Sequence, residues 1–281
     1  MIIARIMGGL GNQLFIYAAA RALSLRTGRP LKLDIINGFC EDRFGRAFLL
    51  DHFPIHAVLA SSEEVAPYSL SSPSLRRQRK LNRFLPLPWR NYYEERSLYD
   101  PRLTTLSPRR HHVYLEGYWQ REDYFSAFSA HIRAELTPYP DLAPMPDRVA
   151  DRIANSESVC LHIRRKDYAH VLGENYYAKA MTQITATLEK PVFFVFADDP
   201  DWARIHIRPN AEVIHIEEAE SPLEPITALR LMRHCRHHII ANSTFSWWAA
   251  WLAAHPGQRV IAPARWGYRA APASGWTVVD N

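Results

Sequence analysis

The sequence predicts an α/β protein built as two doubly wound domains, each with a parallel sheet, facing one another across a cleft. Three observations lead there. The N-terminus reads strand, glycine turn, helix, strand. A proline-rich stretch, "TPYPDLAPMP" (137–146), interrupts the middle of the chain. Beyond it, apolar strand-like runs alternate regularly with helical patterns from 158 to 263. A β-α-β opening and repeated strand-helix alternation are the signature of parallel sheets covered on both faces.

Taken in order, Ile2 to Met7 is short, apolar and β-branched, and "GGLGNQ" (8–13) bends the chain. Leu14, Ala18, Ala22 and Leu25 then recur at helical spacing until Gly28 stops the helix, and "LKLDI" (31–35) is the next strand. Residues 38–110 show less order; "SLRRQRKLNRFLPLPWR" (74–90) reads as a basic amphipathic helix closed by prolines. Regularity returns with "HHVYLEGYWQ" (111–120) and a helix expected from Glu122 to Leu136. Prolines at 137–146 hold a connection extended and cannot continue a ladder, so they predict an interdomain linker between domains 1–140 and 147–281. Strands are expected at 158–163, 191–197, 212–216, 237–241 and 259–263. Helices fill the gaps near 176–188, 224–234 and 244–254.

At 281 residues and 47% hydrophobic, with 22% charged and 12% aromatic, the chain can bury one large core or two ordinary ones. A net charge of +5 and a pI near 9.1 favour an anionic partner without choosing among phosphate, nucleic acid and membrane. Cys160 lies inside an apolar run and is expected as a buried reduced thiol; Cys40, Cys160 and Cys235, odd in number and widely spaced, build no disulfide framework or zinc spacing, which points to a reducing compartment. The glycines and polar residues at 8–13 break the apolar run that a signal peptide needs, and no run approaches the roughly 18 apolar residues of a membrane span. A soluble cytoplasmic protein is expected.

Chemistry gathers where apolar strands end. "VCLHIRRKDYAHV" (159–171) finishes a buried strand by placing Arg164, Arg165 and Lys166 side by side with Asp167. Guanidinium groups offer a planar fork of donors to phosphate oxygens, and parallel sheets bind ligands at this carboxyl edge. The bland alternative is a solvated cation cluster with its own ion pair. His162 points to the same side as Arg164, or is a satisfied core imidazole. In "IIANSTFSWWAAWL" (239–252) a strand ends at Asn242, and Ser243, Thr244 and Phe245 open a helix whose N–H groups suit an anion. Simple N-capping by Ser243 is the alternative. Trp247 and Trp251 read as core. In "FFVFADDPDW" (193–202), Asp198 suits a base or ribose hydroxyl. Asp199 and Asp201 form a D-x-D that could hold a divalent ion, or belong to a turn opening a helix. "GGLGNQ" lacks dinucleotide spacing, and only Asp34 could complete such a motif.

These segments together resemble a known family, the bacterial α-1,2-fucosyltransferases of glycosyltransferase family 11. "GGLGNQLFIYAAARAL", "LEGYWQREDYF", "LHIRRKDY", "FFVFADDPDW" and "LMRHCRHHIIANSTFSWWAAWL" carry the resemblance, in the family's order, from residue 8 to 252. The combination of H-x-R-R-x-D-Y with N-S-x-F-S-W-W is the specific part. The chain departs from the family pattern at Lys166, where glycine is usual, and at Ala228, where an acid is often seen.

The resemblance implies a GT-B fold: two Rossmann-like domains, the first on the acceptor side and the second holding the nucleotide sugar. It implies GDP-fucose as donor, no metal, no cofactor, and inversion at the anomeric carbon. Arg164 would hold the β-phosphate, with Arg165 and Asp167 completing the site. His162, Asp198, Asn242 and the 243–245 turn would contact nucleotide or diphosphate, with Asn12 and Gln13 facing them from the N-terminal domain. Glu116, Asp167 and His162 are the candidates for the base. The acceptor would be an oligosaccharide or lipid-linked glycan with a galactoside 2-hydroxyl. Two rivals stand beside this reading: a transferase for another nucleotide sugar using metal at Asp199 and Asp201, and a basic nucleic-acid-binding protein motivated by "RRQRKLNRF" (76–84). The second lacks any alternation of aromatic and basic residues of recognition-sheet type, so no nucleic-acid partner is expected. A milder use for that basic helix is peripheral contact with an anionic membrane.

Overall fold

Each half of the chain winds its strands outward from a central first strand. The computed structural model describes all residues except 41, 70, 83, 141–146, 167–169, 217–223 and 267–269, with residue 147 described by backbone alone. Two compact units result, Met1–Thr137 and Pro138–Asn281, divided at the start of the proline-rich stretch.

In the first unit, β1 (Ile2–Arg5) is fully buried. It pairs in parallel with β2 (Leu31–Asp34) on one side and β5 (Val113–Glu116) on the other. The short strands β3 (Val58–Leu59) and β4 (Tyr92–Glu94) form the edges, giving the order β3-β2-β1-β5-β4. Helix α1 (Leu10–Thr27) is apolar nearly all round and therefore buried nearly all round; it ends at Gly28, whose φ of 67° needs no Cβ. Two one-turn helices follow, α2 (Ile36–Phe39) and α3 (Ser62–Val65), the latter closed by a Ser61–Glu64 capping box. The basic helix α4 is shorter than expected, Pro73–Asn82.

The helix expected from Glu122 to Leu136 is broken. Two 3-10 turns, Glu122–Tyr124 and Ser126–Phe128, precede a short α5 (Ser129–Glu135). Phe125 leaves helical geometry, at φ −135° and ψ 2°, to bury its ring completely against Phe15, 6.2 Å between centroids. Burying an aromatic ring outweighs the lost helical hydrogen bonds here.

The second unit repeats the plan. Helix α6 (Asp147–Ala154) leads into β6 (Glu157–Ile163). β7 (Pro191–Ala197) and β8 (Glu212–His215) add on one side. The chain then crosses back, and β9 (His237–Ile239), β10 (Val260–Pro263) and β11 (Thr277–Val279) add on the other. All pairs are parallel and the order is β11-β10-β9-β6-β7-β8. The connecting helices α7 (Glu174–Thr185), α8 (Pro200–His206), α9 (Pro225–His234) and α10 (Thr244–Ala253) follow the predicted alternation. Val159, Leu161, Phe193, Val195 and Ile239 from three adjacent strands pack with Tyr176 and Tyr177 of α7 in one core.

Cys160 and Cys235, 75 residues apart and both buried, are brought close enough to interact; burial and that neighbour push the Cys160 thiol up. Trp247 and Trp251 are buried and stacked 5.8 Å apart. Among the described residues no helix is long and apolar enough to cross a membrane. The architecture is thus α/β with two parallel-sheet units, as the alternation predicts.

Candidate functional site

In an open parallel sheet, the crevice for a ligand opens where the strand order reverses, beyond the carboxyl ends of the two strands flanking that point. In the second unit those strands are β6 and β9, which pair directly (Leu161↔Ile239). Arg164, Arg165 and Lys166 follow β6, while Asn242 and Ser243 follow β9 and lead into α10. The fold therefore brings the cation run and the serine-led helix start together. His162 makes the contact visible: its Nδ1 bonds Ser246 Oγ on the first turn of α10, and its ring lies 5.9 Å from that of Phe245.

Asp198, at the end of β7, shapes the cation loop. Its Oδ1 accepts the backbone N–H of Arg165 at 2.8 Å and its Oδ2 that of Lys166 at 3.0 Å. The same Oδ2 lies 3.4 Å from Arg164 Nε. Where the sequence reading gave Asp198 a base or ribose hydroxyl, the structure gives it the loop itself, because β7 is the direct neighbour of β6 and ends beside it.

Arg165 is held by two partners: Asp199 Oδ2, 3.3 Å from its Nε, and the Trp202 ring, 4.2 Å below its guanidinium carbon. Asp199 also caps α8 by accepting the N–H of Trp202. Asp201 is 91% exposed and pairs with Arg204. The two acids of D-x-D thus open a helix and serve separate arginines, and no cluster of three metal-type ligands occurs among the described residues.

His162 is buried, and burial together with Arg164 pulls its pKa down to about 3. The imidazole is therefore neutral near pH 7 and unsuited to accept a proton as a catalytic base. Ser243 stands at the N-cap of α10, but its hydroxyl makes no capping bond. Simple capping by that side chain is not its employment. Asn242 donates Nδ2 to His170 O at 2.8 Å, while its buried Oδ1 has no partner among the described residues. Asp167 lies outside the described residues.

The first unit has its own point of strand-order reversal, between β1 and β5. Gly8, at φ 78°, turns the chain there, and a Cβ on it would sit 2.8 Å from the Asn12 amide. Asn12 Oδ1 accepts from Gln120, just past β5. Gln13 and Glu116 are employed otherwise than expected. Gln13 is completely buried, donating to Gly8 O and Ala47 O and accepting from Leu49 N. It ties the 47–49 segment to the glycine turn and presents nothing to a ligand. Glu116 is gripped by Arg5 at 2.9 Å, by Arg79 at 3.3 Å, and by the Tyr92 hydroxyl. Both its oxygens are engaged, so it braces β1, β4, β5 and α4. Asp34, the one candidate to complete a dinucleotide motif, accepts from Asn37 and the Tyr114 hydroxyl.

Sequence reasoning missed Ser246, Trp202 and the arginines around Glu116. Only Ser246 carried a local signal, three residues past Ser243 on the same helix face.

A model of glycosyl transferase family 11 matches residues 1–270. The chain belongs to glycosyltransferase family 11. An Escherichia coli relative named alpha-1,2-colitosyltransferase is 30% identical, covering 95% of this chain and 92% of its own. A mouse relative named galactoside 2-alpha-L-fucosyltransferase Sec1 is 26% identical, covering 90% of this chain and 64% of its own. Among solved structures, the NodZ alpha-1,6-fucosyltransferase soaked with GDP-fucose superposes with a TM-score of 0.55 at 15% identity, covering 89% of this chain and 91% of the other. FUT1 of Arabidopsis thaliana in complex with GDP gives 0.57 at 12%, covering 92% and 69%. This family 11 member is a glycosyltransferase of GT-B class, with both parallel-sheet units in place.

Proposed function

We propose that this family 11 enzyme is an inverting galactoside α-1,2-fucosyltransferase. It moves L-fucose from GDP-β-L-fucose to the 2-hydroxyl of a galactoside-type glycan, without a metal ion. The observation that carries the reading is the Asp198-held loop of Arg164, Arg165 and Lys166 set beside the N-terminus of α10. Negative charge grows on the diphosphate as the sugar departs, and cations fixed in advance stabilise that charge without reorganising. Arg164 takes the β-phosphate; Arg165, seated over the Trp202 ring, and the N–H groups at 243–245 take the remaining oxygens. Two relatives named as α-1,2-specific or galactoside 2-specific transferases support the linkage.

A divalent ion has no role in this reading, because the arginines supply the neutralising charge and Asp199 and Asp201 already serve Arg165 and Arg204. With Glu116 saturated and His162 held neutral, Asp167 is the candidate that takes the acceptor proton.

A second donor is favoured by the 30% identical colitosyltransferase. Colitose is fucose without its 3-hydroxyl, so GDP-colitose carries the same diphosphate to the same loop. Turnover with GDP-fucose, GDP-colitose, GDP-mannose and UDP-galactose on a galactoside acceptor, with and without EDTA, tests both points. The reading expects GDP-fucose to be used, full activity in EDTA and a 2-linked product by NMR. Exclusive use of GDP-colitose selects the second donor. Loss of activity in EDTA restored by a divalent ion, or exclusive use of a UDP sugar, overturns the reading.

A further inference from the structure

We propose that the first unit docks on an anionic lipid bilayer through α4 and the apolar loop that follows it. Residues 65–93 contain six arginines and lysines and no acidic residue. Arg79 is turned inward to Glu94 and Glu116. Arg76, Arg77 and Lys80 are exposed and form no ion pair among the described residues. An ordinary solvated helix face intersperses acids with its bases; this one presents cations alone.

The apolar residues beside these cations point outward. Phe84 is 80% exposed, Leu81 55% and Trp89 43%. They belong to one stitched surface. Phe84 N–H bonds Leu81 O, Arg90 Nε bonds Leu85 O, and Asn82 bonds Asn91. Arg109 and Arg110 extend the patch from the segment before β5. Both guanidiniums lie over the Trp89 ring, at 5.4 and 5.9 Å, and Arg110 also donates to Trp89 O.

Unpaired cations around exposed Phe, Leu and Trp match the two layers of a bilayer surface, phosphate headgroups outside and acyl chains beneath. A polyanion such as RNA would match only the first of these and leave the apolar side chains without a partner. A cavity of about 360 Å³ shares Asn82, Leu87 and Arg90 with this surface and is lined by Tyr92, Tyr93 and Trp119. Resting on the glycosyltransferase reading, that neighbour is where a bilayer-anchored glycan would arrive; the docking itself does not depend on it.

Flotation of the protein with vesicles tests the proposal, using phosphatidylcholine alone or mixed with phosphatidylglycerol. Binding is expected on the anionic vesicles and not on the neutral ones. The triple variant R76Q/R77Q/K80Q should bind about a hundredfold more weakly, each surface cation contributing roughly fivefold. Phe84→Ser should lose roughly tenfold, with little dependence on salt. Both variants should keep their melting temperature and their turnover on a soluble acceptor. Equal binding to neutral and anionic vesicles, no loss in the triple variant, or RNA binding as tight as vesicle binding would overturn it. Absence of turnover on every donor, with vesicle binding intact, would instead refute the proposed reaction.

Discussion

The carboxylate of Asp198 accepts the backbone N–H of Arg165 at 2.8 Å, joining the ends of β7 and β6 across 33 residues of chain. This bond, with its companion to Lys166 N, sets the path of the loop that carries three adjacent cations. Asp198→Ala should leave the sheet intact but let the loop relax, lowering kcat/KM at least tenfold. Asp198→Asn retains one acceptor oxygen and should recover part of that loss. Steady-state kinetics on the pair of variants checks the claim; equal activity in Ala, Asn and parent would show that the loop holds itself.

Glu116 separates bracing from catalysis. Glu116→Gln keeps hydrogen bonds to Arg5, Arg79 and Tyr92, so kcat and the pH–rate profile should stay within about threefold of the parent. Glu116→Ala leaves the Arg5 guanidinium, 7% exposed, without its carboxylate and should cost on the order of 3 kcal/mol of stability. A collapse of kcat in Glu116→Gln at unchanged melting temperature would return Glu116 to the role of base.

The fold was readable from the sequence where burial is symmetrical. β6 and β7 advertise themselves because parallel strands covered on both faces become uninterrupted apolar runs. The edge strands β3, β4 and β11 are two or three residues long and carry no such run. Arg164, Arg165 and the 243–245 turn stood out because cations or small polar residues end apolar strands there. The partners of Asp198, Gln13 and Glu116 did not, since each depends on which strand lies next to which, and that order is set by packing rather than by local pattern. Gln13 next to Asn12 shows the limit: the two share one motif, yet one is buried in the framework and the other lies at the sheet edge.

Acid should weaken the fold in a window owned by histidines. His162 and His238 are buried and pulled down to about 3, in each case mainly by burial; His234 and His237 shift in the same direction. The unfolded chain binds these protons near pH 6.5 while the native state refuses them until about pH 3. Stability is therefore full above the unfolded value and falls as pH drops through that interval. At pH 5 the loss is on the order of 2 kcal/mol for each of His162 and His238. Melting temperature recorded from pH 7.5 to 4.5 should fall steadily, and His238→Gln should flatten the slope. A profile level down to pH 5 would contradict the burial of these rings as neutral species.

Gly38 tests the first unit's packing. A Cβ at this position would fall 1.7 Å from the backbone oxygen of Ile6, immediately after β1. Backbone cannot yield as a side-chain tip can, so Gly38→Ala should destabilise by about 4 kcal/mol or prevent folding, as read by thermal unfolding. An unaltered melting temperature would mean that α2 does not press against the end of β1.

Titration calorimetry of GDP against the parent and Arg164→Ala tests the central claim most directly, because it isolates the grip on the diphosphate from chemistry and acceptor. The account predicts GDP binding to the parent and a loss of about 3 kcal/mol, roughly a hundredfold in Kd, in Arg164→Ala at unchanged melting temperature. Undiminished GDP affinity in that variant would contradict it.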